Sequence, residues 1–523
     1  MSSNINLDAK KATEIKLFSF STPAMRAFHM TWLAFFVCFF AWFACAPLMP
    51  VIKGEFGLTK DQIANINIAA VAITILVRLA VGPLCDKYGP RITYTTLLLL
   101  GSIPVFGVAA ANSYESFLFF RLLIGAIGAS FVITQYHTSI MFAPNVVGTA
   151  NAAAAGWGNA GGGATQALMP LLLGAIVMFG VEQTMGWRVA LIVPGVMMVI
   201  VGVLYWKLTQ DCPQGNFKEV RAQGIEVGSG KKGGMAILMQ AARNYRVWIL
   251  FLAYGACFGI EIFIHNVAAM YYVDQFKMDL KTAGLTAGIF GLLALFARAL
   301  GGIISDKVAL KKGLDGRTKV LVLMILGEGL FLILFSQMNV VALAIISMTI
   351  FALFTHMACG ATYALVPFID RNALGGVAGI IGAGGNVGAV AAGFLLKGVL
   401  DIQTCLFILG GLVMVAGCSV ILIRFTTEHK GMDTTMAQVV RAFGYIKPHC
   451  TYLFCNKRGH RMKVLVHDGL GIWLCARRLE QGKFHWAQVH QGETVALSPE
   501  QLQALIQGLP WQRIGRQEVG TML

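Results

Sequence analysis

Apolar residues in this chain gather into long blocks rather than alternating or recurring in short periodic stretches. A helix needs about 20 consecutive apolar residues to cross a bilayer core. Runs of that length cover 29–51, 64–84, 92–112, 117–142, 149–178, 187–208, 247–272, 283–304, 319–337, 340–368, 375–397 and 402–424. They predict twelve membrane-spanning helices, spans 1 to 12. The polar stretch 209–246 divides them six and six. The pattern reads as an all-α polytopic membrane protein with a small α+β soluble appendage. Its expected parts are a cytoplasmic segment 1–28, a six-helix half 29–208, a central loop 209–246, a second half 247–424, a linker 425–444 and the appendage 445–523.

Composition agrees. Hydrophobic residues make up 57% of the 523 and charged residues 13%, against about 45–50% and about 25% in soluble domains. That excludes an ordinary soluble enzyme and a disordered chain. The net charge of +16 is placed by its loops. Lys87 and Arg91 follow span 2; Lys218, Arg221, Lys231, Lys232, Arg243 and Arg246 separate spans 6 and 7; Lys307, Lys311, Lys312, Arg317 and Lys319 follow span 8. The alternate loops 113–116 and 338–339 carry no Lys or Arg. Basic loops face the cytoplasm, so both termini are expected there. Residues 1–27 are polar and show no cleavable apolar core, so the first run is expected to remain a span. Eleven scattered cysteines, mostly within apolar runs, read as small core residues.

The halves repeat. Arg78-x3-Gly82-x3-Asp86-Lys87 closes span 2, and Arg298-x3-Gly302-x3-Asp306-Lys307 closes span 8, 220 residues later. Gly158-Asn159-x-Gly161 in span 5 matches Gly385-Asn386-x-Gly388 in span 11, and Gly148 and Gly375 each stand eleven residues before the asparagine. Paired six-helix repeats are how many transporters are built, with the substrate site between them near the midplane.

Arg78 lies eight residues before Asp86, roughly 12 Å along a helix, which places it near the midplane. Arg298 follows by the repeat. Only Glu261 and Glu328 are clear intramembrane carboxylates, and Glu261 is expected nearer the outer side. Buried arginines without matching acids point to a small anion as the missing charge; the competing arrangement has each Arg bonded to backbone carbonyls or Glu261. Gly156-Trp157-Gly158-Asn159-Ala160-Gly161 matches G-x-G-x-x-G literally, but inside a span it reads as helix contact rather than dinucleotide binding. The embedded amides of Asn159 and Asn386 can donate to an anion or hold a neighbouring helix. Glu261 and His265, one turn apart, are the candidate proton-coupling pair, with a satisfied structural pair as the alternative. Arg121 and Glu328 read as structural. No nucleophile–base or metal constellation lies in the spans, which argues against an enzyme.

Gly82-Pro83-Leu84-Cys85-Asp86-Lys87-Tyr88-Gly89-Pro90-Arg91 resembles the loop motif of the major facilitator superfamily. The resemblance implies a conformational latch, so Gly82, Asp86, Lys87, Arg91, Gly302, Asp306 and Lys307 are assigned to gating. The two Gly/Asn segments, with Arg78 and Arg298, resemble the paired signatures of the nitrate/nitrite porters over about 25–424. That family implies two arginines clamping a planar anion, closed in by aromatic rings. Phe131, Tyr254 and Tyr363 fit those rings, and Gly158, Gly161, Gly385 and Gly388 fall in the signatures. It implies nitrate or nitrite as substrate, carried by proton–nitrate symport or by exchange. A bacterial-type inner membrane and no cofactor are expected; a monomer is the expectation, though the sequence does not fix the oligomeric state. Gly259-Ile260-Glu261 resembles the symporting branch. A carrier for an organic phosphate or carboxylate is the alternative within the fold.

Past Arg424 the composition changes. Met462-Lys463-Val464-Leu465-Val466 and Ile472-Trp473-Leu474 alternate like short strands, and Ser498-Pro499-Glu500 reads as a helix start. From Thr451 through Phe484-His485-Trp486 to Leu505 the chain resembles a small accessory protein of an insertion-sequence family, without its N-terminal part. A transposon fragment joined to a transporter gene is the expected origin. Lys457, Arg458, Arg461 and Lys463 suggest either a solvated basic face or phosphate contacts; the latter makes a DNA-associated function of the appendage the alternative from another class. His449, Cys450, Cys455 and His460 fit no strong zinc spacing. No nucleic acid is expected for the transporter part.

Overall fold

The computed structural model describes residues 11–143, 146–224, 234–370, 373–398, 401–425, 450–456, 458–467, 472–485 and 498–513. Among these, twelve helices are long and apolar enough to cross a bilayer, the number the apolar runs predict. They are α1 (Pro23–Phe56), α2 (Lys60–Tyr88), α3 (Pro90–Ala109), α4 (Tyr114–Met141), α5 (Thr149–Met178), α6 (Gln183–Leu208), α7 (Tyr245–Phe276), α8 (Leu280–Ala309), α9 (Lys311–Ser336), α10 (Val341–Leu365), α11 (Gly376–Lys397) and α12 (Ile402–Leu422).

The helices start where the sequence supplies a cap. Thr22 Oγ1 accepts the Met25 N–H at 3.2 Å, with Pro23 in the first turn. Thr59 and Gln62 form a reciprocal capping box before α2. Asp279 and Asp401 accept the N–H of Thr282 and Thr404 ahead of α8 and α12, at 3.0 and 3.1 Å. Outward-facing Leu76, Leu79, Leu100, Ile103, Leu323, Leu412 and Val415 remain exposed on helix faces, as hydrocarbon solvation requires.

Consecutive helices run antiparallel. The near face is the one carrying residues 11–22, 209–224 and 234–244; the far face carries the turns after α1 and α7. The halves α1–α6 and α7–α12 meet through α5 against α8 and α2 against α11. Their approach needs glycine: a Cβ on Gly163 would lie 2.4 Å from the Leu292 backbone nitrogen, and one on Gly393 2.6 Å from the Ile68 side chain. Polar ties between the halves run from the midplane to the far face. Lys53 Nζ reaches Asp274 Oδ2 at 3.0 Å, Lys60 Nζ the Gly398 carbonyl at 3.2 Å, and Gln166 Nε2 the His265 carbonyl at 2.5 Å. Arg121 donates to the Trp42 carbonyl at 2.8 Å and to Asn266 Oδ1 at 3.2 Å.

Besides α1, with a 3₁₀ turn at Ala46–Leu48, and α8, interrupted at Leu293, two helices lose regular α geometry beside the site. In α4, Gly125–Ala129 tightens to a 3₁₀ turn; in α7, Gly255–Gly259 widens to a π turn. Such departures recur at functional positions.

Chain from Phe425 onward belongs to a second compact unit. Its strands β1 (Cys450–Cys455), β2 (Arg461–His467) and β3 (Ile472–Arg478) form an antiparallel sheet in the order β1-β2-β3, with Tyr452 opposite Leu465 and Leu465 opposite Leu474. Ser498 caps a helix, α13 (Pro499–Gln507), and Ala504, Leu505 and Trp511 pack with Leu453. Most of the expected linker, with His449 and Lys457, lies outside the described residues.

Candidate functional site

The site is built around two guanidinium groups on one ring. Arg78 of α2 is buried and donates to the Gly382 carbonyl of α11 at 3.1 Å and the Gly128 carbonyl of α4 at 3.2 Å. The 3₁₀ turn in α4 is what presents Gly128. The Arg78 guanidinium carbon lies 5.8 Å from the centre of the Phe131 ring and 5.7 Å from that of Phe258; Arg298 of α8 lies 5.3 Å from the same Phe258 ring. The Nε atoms of both arginines have no hydrogen-bond partner. Tyr254 stacks on Phe258 with centroids 5.1 Å apart and meets Tyr363 edge-on at 5.2 Å; Tyr363 meets Phe131 at 6.2 Å. The structure thus brings Arg78, Arg298, Phe131, Tyr254 and Tyr363 together and adds Phe258, which the motif reading did not single out. Phe258 sits in the Gly255–Gly259 π turn, which the sequence spacing does not announce.

Glu261 requires a correction. Rather than lying toward the outer side, it is paired with Arg298, Oε2 to Nη2 at 2.5 Å, and is fully buried. The expectation of two arginines lacking acids therefore holds for Arg78 alone, whose charge faces only carbonyls and rings. The reason is the cost of an isolated buried carboxylate. His265 shares a helix face with Glu261, but no described hydrogen bond joins them. Its ring packs on Phe43 with centroids 4.8 Å apart and on Phe290 at 5.6 Å, and neither ring nitrogen is partnered. The imidazole facing Glu261 belongs instead to His356 of α10, with Nδ1 3.5 Å from Oε2.

The signature glycines are contact points between helices. A Cβ on Gly158 would lie 2.0 Å from the Phe35 ring, and one on Gly385 2.4 Å from the Phe258 ring. On Gly161 and Gly388 it would lie 2.1 and 2.3 Å from the carbonyl oxygens of Phe36 and Gly255. Gly385 therefore bears on the site by seating Phe258. Asn159 and Asn386 are buried, and neither amide has a hydrogen-bond partner.

The near-face motif engages the central loop. Tyr136 donates to Asp86 Oδ1 at 2.6 Å, and Arg221 donates to the Asp86 and Lys87 carbonyls at 2.6 and 2.5 Å. Asp211 accepts the Arg91 N–H at 2.8 Å and the Phe217 N–H at 3.0 Å, holding the short helix Phe217–Ala222. The Arg91 guanidinium stacks on Trp206 at 4.1 Å. Gly89, at φ +91°, leaves no room for a Cβ beside the Asp211 carboxylate. Burial pushes the Asp211 carboxyl above the ordinary range, and the two N–H bonds partly offset this. In the second copy Asp306 pairs with Arg317. A Cβ on Gly82 or Gly302 would meet nothing within 4 Å, and no partner of the Lys307 side chain is described.

Two six-helix repeats closing on a cationic, aromatic-lined centre define a membrane carrier rather than an enzyme. Residues 31–314 match the profile described as Major Facilitator Superfamily. The chain is 40% identical over 380 residues to the high affinity nitrate transporter 2.5 of Arabidopsis thaliana, covering 73% of this chain and 75% of that one. It is 28% identical to the nitrate/nitrite transporter NrtP of a Picosynechococcus strain, covering 89% of this chain and 95% of that one. Among solved structures it is similar in fold to a D-xylose-proton symporter, with a TM-score of 0.60, 13% identity, and coverage of 78% of this chain and 99% of that one. The chain belongs to the Major Facilitator Superfamily, in the family of these nitrate transporters. Residues 419–516 match the profile described as IS66 Orf2 like protein.

Proposed function

We propose that the chain carries nitrate and/or nitrite across a membrane by alternating access, with the anion held between Arg78 and Arg298. The observation that carries this reading is the single Phe258 ring beneath both guanidiniums, each with its Nε unpartnered. A planar fork suits a trigonal oxyanion, and the ring array excludes water from it. The names of the 40%-identical relatives agree with that substrate. Asn159 and Asn386 supply further donors, and Gly158, Gly161, Gly385 and Gly388 let the helices close. Asp86, Lys87, Arg91 and their second copy work the near face. The near face and both termini lie on the cytoplasmic side of a bacterial-type inner membrane, an orientation that the basic loops support. The carrier acts as a monomer, and Glu261 favours coupling to protons over simple exchange. The tail takes no part in transport and marks a joined transposon fragment; amplification of the locus across codon 445 tests that origin.

The experiment is nitrate uptake into proteoliposomes containing the full chain, with unlabelled nitrite, phosphate esters and carboxylates as competitors. Competition by nitrite alone is expected. Competition by organic phosphates or carboxylates overturns the substrate, and absence of nitrate movement under any gradient overturns the reading.

A further inference from the structure

The pair of Arg298 and Glu261 leaves His356 unexplained. This side chain is fully buried in α10, and its Nε2 lies 2.8 Å from the Phe290 carbonyl. A carbonyl only accepts, so Nε2 carries a proton. In the neutral ring Nδ1 is then a bare lone pair. It faces Glu261 Oε2 at 3.5 Å, and the same oxygen lies 3.8 Å from Cys359 Sγ. Two buried acceptors face each other unfavourably until a proton enters between them.

We propose that His356 and Glu261 together bind one proton, between Nδ1 and Oε2, and that its arrival loosens Glu261 from Arg298 so that Arg298 can take the anion. This rests on the anion-carrier reading and deepens it. Without the proton, Glu261 is an internal anion already seated on Arg298. The proton comes from bulk water, bonds to the Nδ1 lone pair and is hydrogen-bonded to Oε2, and leaves the same way; no other covalent bond forms or breaks.

The surrounding charged and titratable groups fit this role. From α8, Arg298 pairs with Glu261. From α10, Cys359 is a weak donor to the same oxygen and Tyr363 faces the arginines. From α9, Glu328 adds a further carboxyl to the neighbourhood. On α7 itself stand Tyr254, Cys257 and His265. Among the described residues, only His356 has one nitrogen committed to a carbonyl while the other faces a carboxylate. The two arginines and Glu261 sum to one positive charge, and the proton makes it two. Anion and proton therefore favour each other's binding, reciprocally.

Isothermal titration of the purified full chain with sodium nitrate, in two buffers of different ionisation enthalpy, reads both affinity and proton uptake. One proton is expected to enter per nitrate bound, and the wild-type dissociation constant should rise with pH by up to about tenfold per unit. His356→Gln should flatten that slope and bind nitrate without proton uptake. If that variant does not fold, Glu261→Gln is read instead, with the same flat profile expected. A wild type that binds nitrate with no proton uptake, or a variant that keeps the slope, overturns the proposal while leaving the carrier reading intact. No nitrate binding by wild type at any pH overturns both.

Discussion

Phe258 does at residue scale what neither arginine does alone: it gives two cations from different halves a common face. A cation over an aromatic ring contributes about 0.5–2 kcal/mol, and here the ring serves two. Phe258→Leu should therefore weaken nitrate binding roughly 5- to 30-fold by about 1–2 kcal/mol, read by titration; an unchanged affinity would remove the ring from the site. Arg78→Lys keeps the charge but cannot donate to both the Gly382 and Gly128 carbonyls and the anion together. Transport should fall at least tenfold in proteoliposomes, and wild-type rates in that variant would refute the clamp. Much of this was legible in the sequence. Arg78 and Arg298 announce themselves by repeating, and Phe131, Tyr254 and Tyr363 follow from the family signature. Phe258 and His356 were not legible, for a physical reason. Which side a helical residue faces depends on its phase, and the π turn shifts that phase by a residue. His356 meets Glu261 only through the packing of α10 on α7, which no spacing within one helix encodes.

Among the elements, the near-face clasp joins the loop motif to the central segment through Asp211, a residue that carries no motif of its own. Both its oxygens are used, each by a different N–H. Asp211→Asn offers one oxygen and turns an NH₂ toward the other N–H, which should cost about 1–3 kcal/mol. Faster limited proteolysis within 209–224 would show it; unaltered cleavage would make the clasp decorative. The pH dependence has a definite sign. Burial raises the Asp211 carboxyl, so the folded state binds the proton first, and this group's contribution to stability grows as pH falls from its raised value to about 3.9. Asp401 behaves oppositely. Its bonds from Thr404 hold it below the ordinary range, so its capping contribution is present above about 3.9 and fades as pH falls through its lowered value. The apolar runs foretold the twelve helices; the clasp needed tertiary contacts.

For the whole molecule, closure on the far side depends on backbones meeting where glycine allows it. Gly163→Val would push into the Leu292 amide across the α5–α8 seam. Each half should still fold, while the approach of the halves is blocked. Transport is expected to drop more than tenfold, with cysteines introduced at 53 or 274 becoming more reactive to membrane-impermeant thiol reagents. Unchanged reactivity with normal transport would show that the seam yields.

The charge count at the clamp has an electrical consequence. The empty carrier holds one uncompensated positive charge between Arg78, Arg298 and Glu261, and one proton entering with one monovalent anion leaves that count unchanged. Membrane voltage, worth about 2.3 kcal/mol per charge per 100 mV across the full barrier, then acts on the unloaded carrier's return as well as on the loaded passage. Supported-membrane recordings without nitrate should show a transient current for wild type that disappears in Arg298→Gln, where the count falls to zero. Cells that hold an inside-negative potential would thereby set how quickly the unloaded site comes back to the outer solution, and so the ceiling on turnover.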